Sequence, residues 1–236
     1  MSIFKRLFGS KSPVDTHGIM AGYIDHHSHI LPGVDDGCRT TDDSLACLRA
    51  YEDLGFAEVW LTPHIMEDYP NRPEDLRHKF DELNDLYKGS IKLHLAAENM
   101  MDTLFAQRLE SGELLTIGDR LLVETSYYNP PSNFHDTLDL IMHKGYRPLL
   151  AHPERYRYMD MDEYKNLRDK GVEFQLNIYS LAGMYGEEAR QKSVRLLKSG
   201  FYSFSGTDIH RPAQAACFEK IASEKGLLSR ISTIKN

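Results

Sequence analysis

The chemically richest stretch of the sequence is Asp-His-His-Ser-His at residues 25–29, followed by Asp-Asp-Gly at residues 35–37. If residues 25–29 form a strand, side chains alternate between its faces, so His27 and His29 share one face and His26 lies on the other. Two imidazoles two residues apart on one face can bind a single metal ion. Because this short pattern is also common by accident, it predicts a metal site only if other ligands converge on it.

Later β-prone segments also end in residues that bind metals. These residues are His64, Glu98, Glu124, His152, and the pair Asp208 and His210. The active sites of α/β barrels are built at the carboxyl ends of their strands, where such side chains would meet. Any one of them could be a helix cap or a packed core histidine, but six such coincidences together are improbable. The sequence therefore predicts a metal centre, to which six of seven strands contribute; the remaining strand ends in Asn177, a poor ligand.

The ligand types restrict the metal. Five histidines and about four carboxylates, with Asp36 from the Asp-Asp-Gly turn and no cysteine, favour Mn²⁺, Fe²⁺ or Zn²⁺. Nine ligands are too many for one ion, so two or three ions are expected, with a carboxylate such as Glu98 bridging them. Close metal pairs suit phosphoester hydrolysis, because one ion lowers the pKa of a bound water while another neutralises phosphoryl charge.

Two arginines follow predicted ligands closely. Arg155 comes three residues after His152, and Arg211 directly follows His210. Guanidinium groups bind anionic oxygens in a bidentate manner, so both are candidate phosphate-binding residues, Arg155 being the better one. Cysteine-based phosphatase chemistry is excluded, because no cysteine is followed by an arginine six positions later.

Seven strands in alternation with helices are predicted to position these residues. The predicted strands are residues 22–28, 57–62, 92–97, 120–125, 147–151, 173–177 and 201–206. The predicted helices are residues 41–54, 73–86, 104–111, 134–144, 161–170, 187–198 and 212–225. Strict strand–helix alternation implies a parallel sheet, and 236 residues suit one α/β barrel related to the (β/α)₈ type.

Composition argues against some partners and compartments. The formal charge of −7 gives no reason to expect a nucleic-acid partner. No apolar run approaches the roughly 20 residues that span a bilayer, and three unpaired-looking cysteines suit the reducing cytoplasm. We expect residues 1–20 to be a flexible N-terminal arm and residues 21–236 to form a single domain.

These motifs resemble the PHP (polymerase and histidinol phosphatase) superfamily, and within it the bacterial capsule-associated tyrosine phosphatases of CpsB/CapC type. The resemblance extends from Tyr23 to about Cys217, and its most specific parts are residues 24–29, 34–37, 151–156 and 207–210. It implies a distorted (β/α)₇ barrel with three divalent ions, Mn²⁺ most often and Fe or Zn in other cases.

The resemblance also implies a ligand set for each ion. His27, His29, Glu98 and Asp208 would bind the first ion. Asp36, His64 and His210 would bind the second, and Glu98, Glu124 and His152 the third. Arg155 and Arg211 resemble phosphate-binding arginines, and Asp25 resembles a residue that orients a ligand imidazole.

The implied substrate is phosphotyrosine on a partner protein, typically a bacterial tyrosine kinase that controls exopolysaccharide assembly. Metal-bound hydroxide would attack phosphorus directly, with Asp208 and His210 near enough to the leaving oxygen to donate a proton. The Tyr127-Tyr128 loop could flank the aromatic ring of the substrate. The role of His26 is left open.

Three alternatives remain at this stage. A small-molecule phosphatase of histidinol-phosphatase type would share the metal ligands and differ only in its pocket. An amidohydrolase would also use the His-x-His pair, but it typically needs a lysine at a strand end, and none is found. A metal-stabilised binding protein without turnover would be expected to have lost some ligands.

Overall fold

The computed structural model describes residues 16–223 and 226–234. Short strands alternate with helices along these ranges. The strands are β1 (Ile24–Ser28), β2 (Glu58–Leu61), β3 (His64–Ile65), β4 (Lys92–Leu95), β5 (Glu98–Met100), β6 (Arg120–Glu124), β7 (Arg147–Ala151), β8 (Glu173–Asn177) and β9 (Phe204–Gly206). The α-helices are α1 (Thr41–Leu54), α2 (Pro73–Leu86), α3 (Phe105–Ser111), α4 (Phe134–His143), α5 (Met161–Asp169), α6 (Ile178–Leu181), α7 (Glu187–Lys198), α8 (Cys217–Ser223) and α9 (Leu227–Ile231). Short 3-10 helices cover Pro153–Arg155 and Pro212–Ala216.

The strands pair in parallel in the orders β1-β2-β4 and β3-β5-β6-β7-β8-β9. The first and last strands also meet, since the Asp208 amide donates to the His27 carbonyl oxygen and the His29 amide donates to the Ile209 carbonyl oxygen, both at 2.8 Å. The sheet therefore curls around on itself. This arrangement confirms the predicted single-domain α/β fold, a distorted (β/α)₇ barrel.

Two predicted strands end early, and each is followed by a second short strand that was not predicted. The strand predicted over residues 57–62 is β2, which ends at Leu61, and Pro63, which has no amide hydrogen to donate, separates it from β3. The strand predicted over residues 92–97 is β4, which ends at Leu95, and the Ala97 amide turns aside to the Leu115 carbonyl oxygen before β5 begins. β3 and β5 carry His64 and Glu98 in register with each other, so the breaks directly precede two of the predicted ligands.

The chain differs from prediction near its C-terminal end as well. β9 starts at Phe204, three residues later than predicted, because the amides of Gly200 and Phe201 bond back to the end of α7. The helix predicted over residues 212–225 begins as a 3-10 helix and continues as α8, and residues 224–225 lie outside the described ranges.

A small apolar cluster lies beneath the ends of the strands. Leu122 on β6 packs with Ala96, Leu149 and Ala151, and all four are fully buried. Glu124 lies two residues beyond Leu122 on the same strand and therefore on the same face. These apolar residues therefore pack beneath the polar residues at the carboxyl ends of the strands.

Most of the predicted N-terminal arm, residues 1–15, lies outside the described residues. Residues 17–22 form a turn in which the amides of Gly18 and Met20 donate to the carbonyl oxygens of Asp53 and Leu54 at 2.8 Å. Within the described ranges, none of the helices combines the length and the apolar character needed to cross a membrane.

Candidate metal centre

Two histidines from the end of β1 form the centre of the site together with two carboxylates. The Nε2 atoms of His27 and His29 are 3.2 Å apart. Glu98 Oε2 lies 3.2 Å from the first and 3.3 Å from the second, while Asp208 Oδ1 lies 3.5 Å and 3.2 Å from them. All four side chains are almost completely buried. Four ligand atoms from three strand ends therefore surround one small volume.

Two further groups of ligand atoms extend this centre. Near its mouth, Asp36 Oδ1 lies 3.6 Å from His64 Nε2 and 3.4 Å from His210 Nε2. The other ring nitrogen of His64, Nδ1, lies 3.2 Å from both Glu98 Oε2 and Glu124 Oε1. His152 Nε2 reaches Glu98 Oε1 at 2.9 Å and Glu124 Oε2 at 3.8 Å. All nine predicted ligands are thus brought together.

Hydrogen bonds fix which ring nitrogens can bind a cation. Gln175 donates its amide to the His26 carbonyl oxygen at 3.0 Å, so its Oε1 accepts from His27 Nδ1 at 2.6 Å. Asp35 Oδ2 accepts from His29 Nδ1 at 2.8 Å. Because the Nδ1 atoms donate, the Nε2 atoms are the ring nitrogens left to bind a cation or a proton beside the two carboxylates. The two Nε2 atoms and the two carboxylate oxygens together attract positive charge, so the residues present fit a divalent metal.

The ionisation of the buried groups agrees with this fit. Burial raises the pKa of Glu98, but the charges on His27 and His64 hold it well below its usual range. Burial lowers the pKa of His29, but the Asp35 carboxylate carries it well above its usual value. The carboxylates therefore stay ionised and attract positive charge, and protons and metal ions compete for the same nitrogen atoms.

Two of the ligand residues have a left-handed backbone. His152 has a φ of 35° and Asp208 a φ of 57°, a region that residues other than glycine rarely adopt. Each directly follows or nearly follows a strand, β7 or β9. The left-handed conformation turns the chain sharply at these strand ends, and such strain of about 1–3 kcal/mol clusters at functional sites.

Two glycines allow the chain to pack closely against the His-x-His segment. A Cβ atom on Gly206 would lie 2.3 Å from the Cβ of His27, and one on Gly37 would lie 2.1 Å from the carbonyl oxygen of His29. Neither position has room for a side chain. The main chain thus fixes His27 and His29 from both sides.

Six of the nine predicted ligands line a cavity of about 560 Å³ that opens to solvent: Asp36, His64, Glu98, His152, Asp208 and His210. Arg155 enters it from the 3-10 helix after β7 and donates from Nη1 to Asp208 Oδ2 at 2.8 Å. Arg211 also lines the cavity, but it is exposed. The two predicted phosphate-binding arginines therefore both lie at the mouth, Arg155 in direct contact with a ligand.

Other sequence expectations had mixed outcomes. His26 lies on the opposite face, as expected, and packs edge-on against Phe204 at a centroid distance of 4.9 Å. The expectation for Asp25 was wrong: within the described ranges its carboxylate bonds to no imidazole and instead accepts from the Thr207 and His27 amides and from the Tyr51 hydroxyl. Asp25 therefore joins β1 to the segment after β9.

The side chains that hold the ligand imidazoles were not identified as such from the sequence. They are Asp35, which stands beside a predicted ligand in the Asp-Asp-Gly turn, and Gln175 on β8. Asn177, two residues further on, donates to Asp208 Oδ2 at 2.9 Å. The available signal was two polar residues at alternate positions of a buried strand, which calls for polar partners inside the barrel.

The chain matches known proteins over most of its length. Residues 23–226 match the family described as capsular polysaccharide synthesis, CpsB/CapC. The tyrosine-protein phosphatase YwqE of Bacillus subtilis (strain 168) is 33% identical over 195 residues, which are 79% of this chain and 77% of YwqE. The tyrosine-protein phosphatase CpsB of Streptococcus pneumoniae is 25% identical over 221 residues, 86% of this chain and 91% of CpsB.

Solved structures of other proteins also match the fold of this chain. A crystal structure from work on YwqE and CpsB, described as unique metal-dependent tyrosine phosphatases, matches with a TM-score of 0.76 and 27% identity, covering 89% of this chain and 91% of the other. A lactonase from Listeria monocytogenes, at 13% identity and a TM-score of 0.52, covers 88% of this chain and 86% of its own and shares the fold alone.

Proposed function

The chain belongs to the CpsB/CapC family, and on that premise we propose that it is a metal-dependent protein-tyrosine phosphatase acting in capsule or exopolysaccharide synthesis. One observation carries the proposal. The Nε2 atoms of His27 and His29 converge with Glu98 and Asp208 in a buried cluster, and Arg155 stands beside it at the mouth. A cluster of cations next to a guanidinium suits the hydrolysis of a phosphomonoester.

We assign three ions to the cluster. His27, His29, Glu98 and Asp208 would hold the first. Asp36, His64 and His210 would hold the second, and Glu98, Glu124 and His152 the third. The distances between ligand atoms support a cluster of this kind, since three groups of side chains have ligand atoms that all lie within 4.8 Å of one another. These groups differ from the assigned sets in three respects: His29 joins Asp36, His64 and His210, His64 joins Glu98 and Glu124, and Asp208 and His152 belong to none of them.

The bound cations would activate a water molecule and neutralise charge on the phosphoryl group; Mn²⁺ is our proposed metal, with Fe or Zn as substitutes. The side chains of the protein itself would orient the phosphoryl group. Arg155 and Arg211 would bind phosphoryl oxygens at the mouth. His210 Nδ1 faces the Asp208 carbonyl oxygen at 2.9 Å, and this contact orients the ring. Asp208 and His210 were the predicted proton donors. Burial raises the pKa of Asp208, but the charges on His27, His210 and Arg155 hold it well below its usual range, so its carboxylate is ionised. A phenolate leaves readily without a proton, and we propose that the leaving oxygen departs in this form.

We propose phosphotyrosine on a bacterial tyrosine kinase as the substrate. The relatives support the phosphotyrosine, because they are tyrosine-protein phosphatases. A cytoplasmic location is proposed from the free thiols of Cys38 and Cys47, whose sulfur atoms lie only 3.6 Å apart in the core. Such a pair is typical of a reducing compartment.

The test compares two substrates on one preparation. Release of phosphate from a phosphotyrosine peptide and from histidinol phosphate is measured in Mn²⁺, with and without EDTA, and bound metal per chain is determined by elemental analysis. We expect EDTA-sensitive release from the peptide and about three ions per chain. Faster release from histidinol phosphate would show that the substrate is a small molecule and not phosphotyrosine. No release of phosphate from either substrate by metal-loaded protein would refute phosphatase function.

A further inference from the structure

The guanidinium of Arg155 is surrounded by two tyrosine rings. Its Cζ lies 4.3 Å from the ring centroid of Tyr127 and 4.1 Å from that of Tyr185. Both distances fall well within the range of about 6 Å for attraction between a cation and an aromatic face. The Arg155 side chain is only 17% exposed. We refer to Tyr127 and Tyr185 together as the tyrosine clamp.

The two clamp residues come from different loops that are independently fixed. Tyr127 follows β6 and packs beside His152 and the fully buried Tyr156, at centroid distances of 5.8 Å and 6.0 Å. Tyr185 lies in the turn between α6 and α7, where Gly183 and Gly186 have φ values of 73° and 92°. Rings anchored on separate elements hold the guanidinium more firmly than either element could alone.

The guanidinium also makes polar contacts beside the clamp. Its Nη1 donates to Asp208 Oδ2. Asn177 donates to the same oxygen at 2.9 Å, and the Tyr185 hydroxyl approaches it at 3.4 Å. The other carboxylate oxygen, Asp208 Oδ1, faces His27 and His29. Arg155 is therefore held in a single orientation beside the proposed metal cluster.

We propose that Tyr127 and Tyr185 are positioning residues that fix the Arg155 guanidinium for in-plane binding of the substrate phosphoryl group. This inference rests on the proposed function, in which Arg155 binds phosphate. Cation–aromatic contacts hold the cation without using its N–H donors, so these donors remain available for anionic oxygens. A guanidinium fixed in advance loses less rotational entropy when phosphate binds. The substrate ring, in turn, has to pack elsewhere than on Arg155.

The experiment measures the dissociation constant of inorganic phosphate from the Mn²⁺-loaded full chain by calorimetry, together with kcat and KM for p-nitrophenyl phosphate. The variants are Tyr185→Leu and Tyr185→Phe, with the same pair at Tyr127. The control is Phe201→Leu, because Phe201 makes a cation–aromatic contact with Arg168 at 4.1 Å and lies before β9 begins, away from the carboxyl ends of the strands. Bound metal and melting temperature are recorded for each protein, so that loss of fold or metal is recognised.

We expect each leucine variant to bind phosphate roughly fivefold to thirtyfold more weakly at unchanged metal content, as loss of a partly desolvated cation–aromatic contact implies. The phenylalanine variants, which keep the ring, should remain within about twofold of wild type, as should the control. A double variant tests whether the clamp acts through Arg155. Adding Tyr185→Leu to Arg155→Ala should cause no further loss of phosphate affinity, because the contact of Tyr185 is with Arg155.

Several results would overturn the inference. Leucine variants with wild-type phosphate affinity would refute the clamp while leaving the phosphatase function intact. Additive losses in the double variant would show that Tyr185 acts independently of Arg155. If metal-loaded wild type neither hydrolyses p-nitrophenyl phosphate nor binds phosphate, the proposed function fails and the role of the clamp with it.

Discussion

Replacing Gly206 by alanine tests whether the packing of β9 against β1 sets the metal geometry. Gly206 ends β9, and an added Cβ would lie 2.3 Å from the Cβ of His27, 2.8 Å from its amide nitrogen and 3.0 Å from its Cα. The backbone of Gly206 does not have a positive φ, so the obstacle to alanine is contact alone. The perturbation is therefore a displacement of His27 away from β9, of β9 away from His27, or both.

The size of that displacement follows from the distances. Non-bonded carbon atoms rest about 3.5 Å apart or more, so the two Cβ atoms must separate by about 1.2 Å. Metal–ligand bonds keep their lengths to within about 0.2 Å, and the shift is several times larger. Gly206→Ala should therefore weaken metal binding by at least about 100-fold, the upper end of the range for residues that merely support a ligand. Overpacking should also lower the free energy of unfolding by about 1–3 kcal/mol.

The assay is a competition between the protein and a chelating dye for Mn²⁺, with thermal unfolding measured in EDTA. The matched control is Gly118→Ala in the turn before β6. Gly118 has a φ of 61° and open space around its missing side chain, so alanine there costs about 1–2 kcal/mol of backbone strain without touching the site. We expect the control to melt lower and bind metal normally. Wild-type metal affinity in Gly206→Ala would refute the reasoning.

Three further predictions concern the ligands and their partners. Arg155→Ala should lower kcat/KM for phosphotyrosine peptide by about 10- to 150-fold, the range for lost hydrogen bonds to a charged group, while elemental analysis finds normal metal content; loss of metal would show that Arg155 has been misassigned. Gln175→Leu should weaken Mn²⁺ binding by about 10- to 100-fold in the same dye competition, because His27 Nδ1 loses its acceptor; unchanged affinity would mean that Gln175 does not hold the ring. In EDTA, His152→Gly should melt roughly 2–8 °C above His152→Ala, since only glycine accepts a φ of 35° without strain of about 1–2 kcal/mol; equal melting temperatures would contradict a strained backbone.

The convergence of the ligands could be predicted because it follows from topology. His64, Glu124 and His152 are far apart in sequence, but Glu124 ends β6, His152 directly follows β7, and His64 lies three residues beyond the end of β2, all in parallel pairing. Alternation of strands and helices implies that sheet, and a parallel sheet brings such ends to one edge. No knowledge of side-chain packing was needed for this step.

The rule that side chains alternate between the two faces of a strand gave the wrong face for Asp25. A strict period of two places Asp25 on the face of His27 and His29. The pairing of β1 with β2 instead shifts register between Asp25 and Ser28, where three residue steps on β1 correspond to two on β2. Such a bulge redirects side chains, and local sequence does not reveal it. The tyrosine clamp could not be predicted from the sequence either, because its two rings lie in loops that are separated by more than fifty residues.

β8 corresponds to the one predicted strand whose end supplies no metal ligand, and its side chains instead hold ligands in place. Its inward residues Gln175 and Asn177 are too weakly basic to compete for a cation, but each can donate and accept hydrogen bonds. Gln175 accepts from His27 Nδ1 and so fixes the tautomer of that ring. Asn177 donates its side-chain amide to Asp208 Oδ2, and the side-chain oxygen of Asn177 accepts from the Tyr179 amide at 2.9 Å. A carboxylate at either position would add negative charge to an already acidic cluster, and an apolar residue would leave a ligand without its partner. Side-chain amides at these two positions therefore suit the site better than a further metal ligand would.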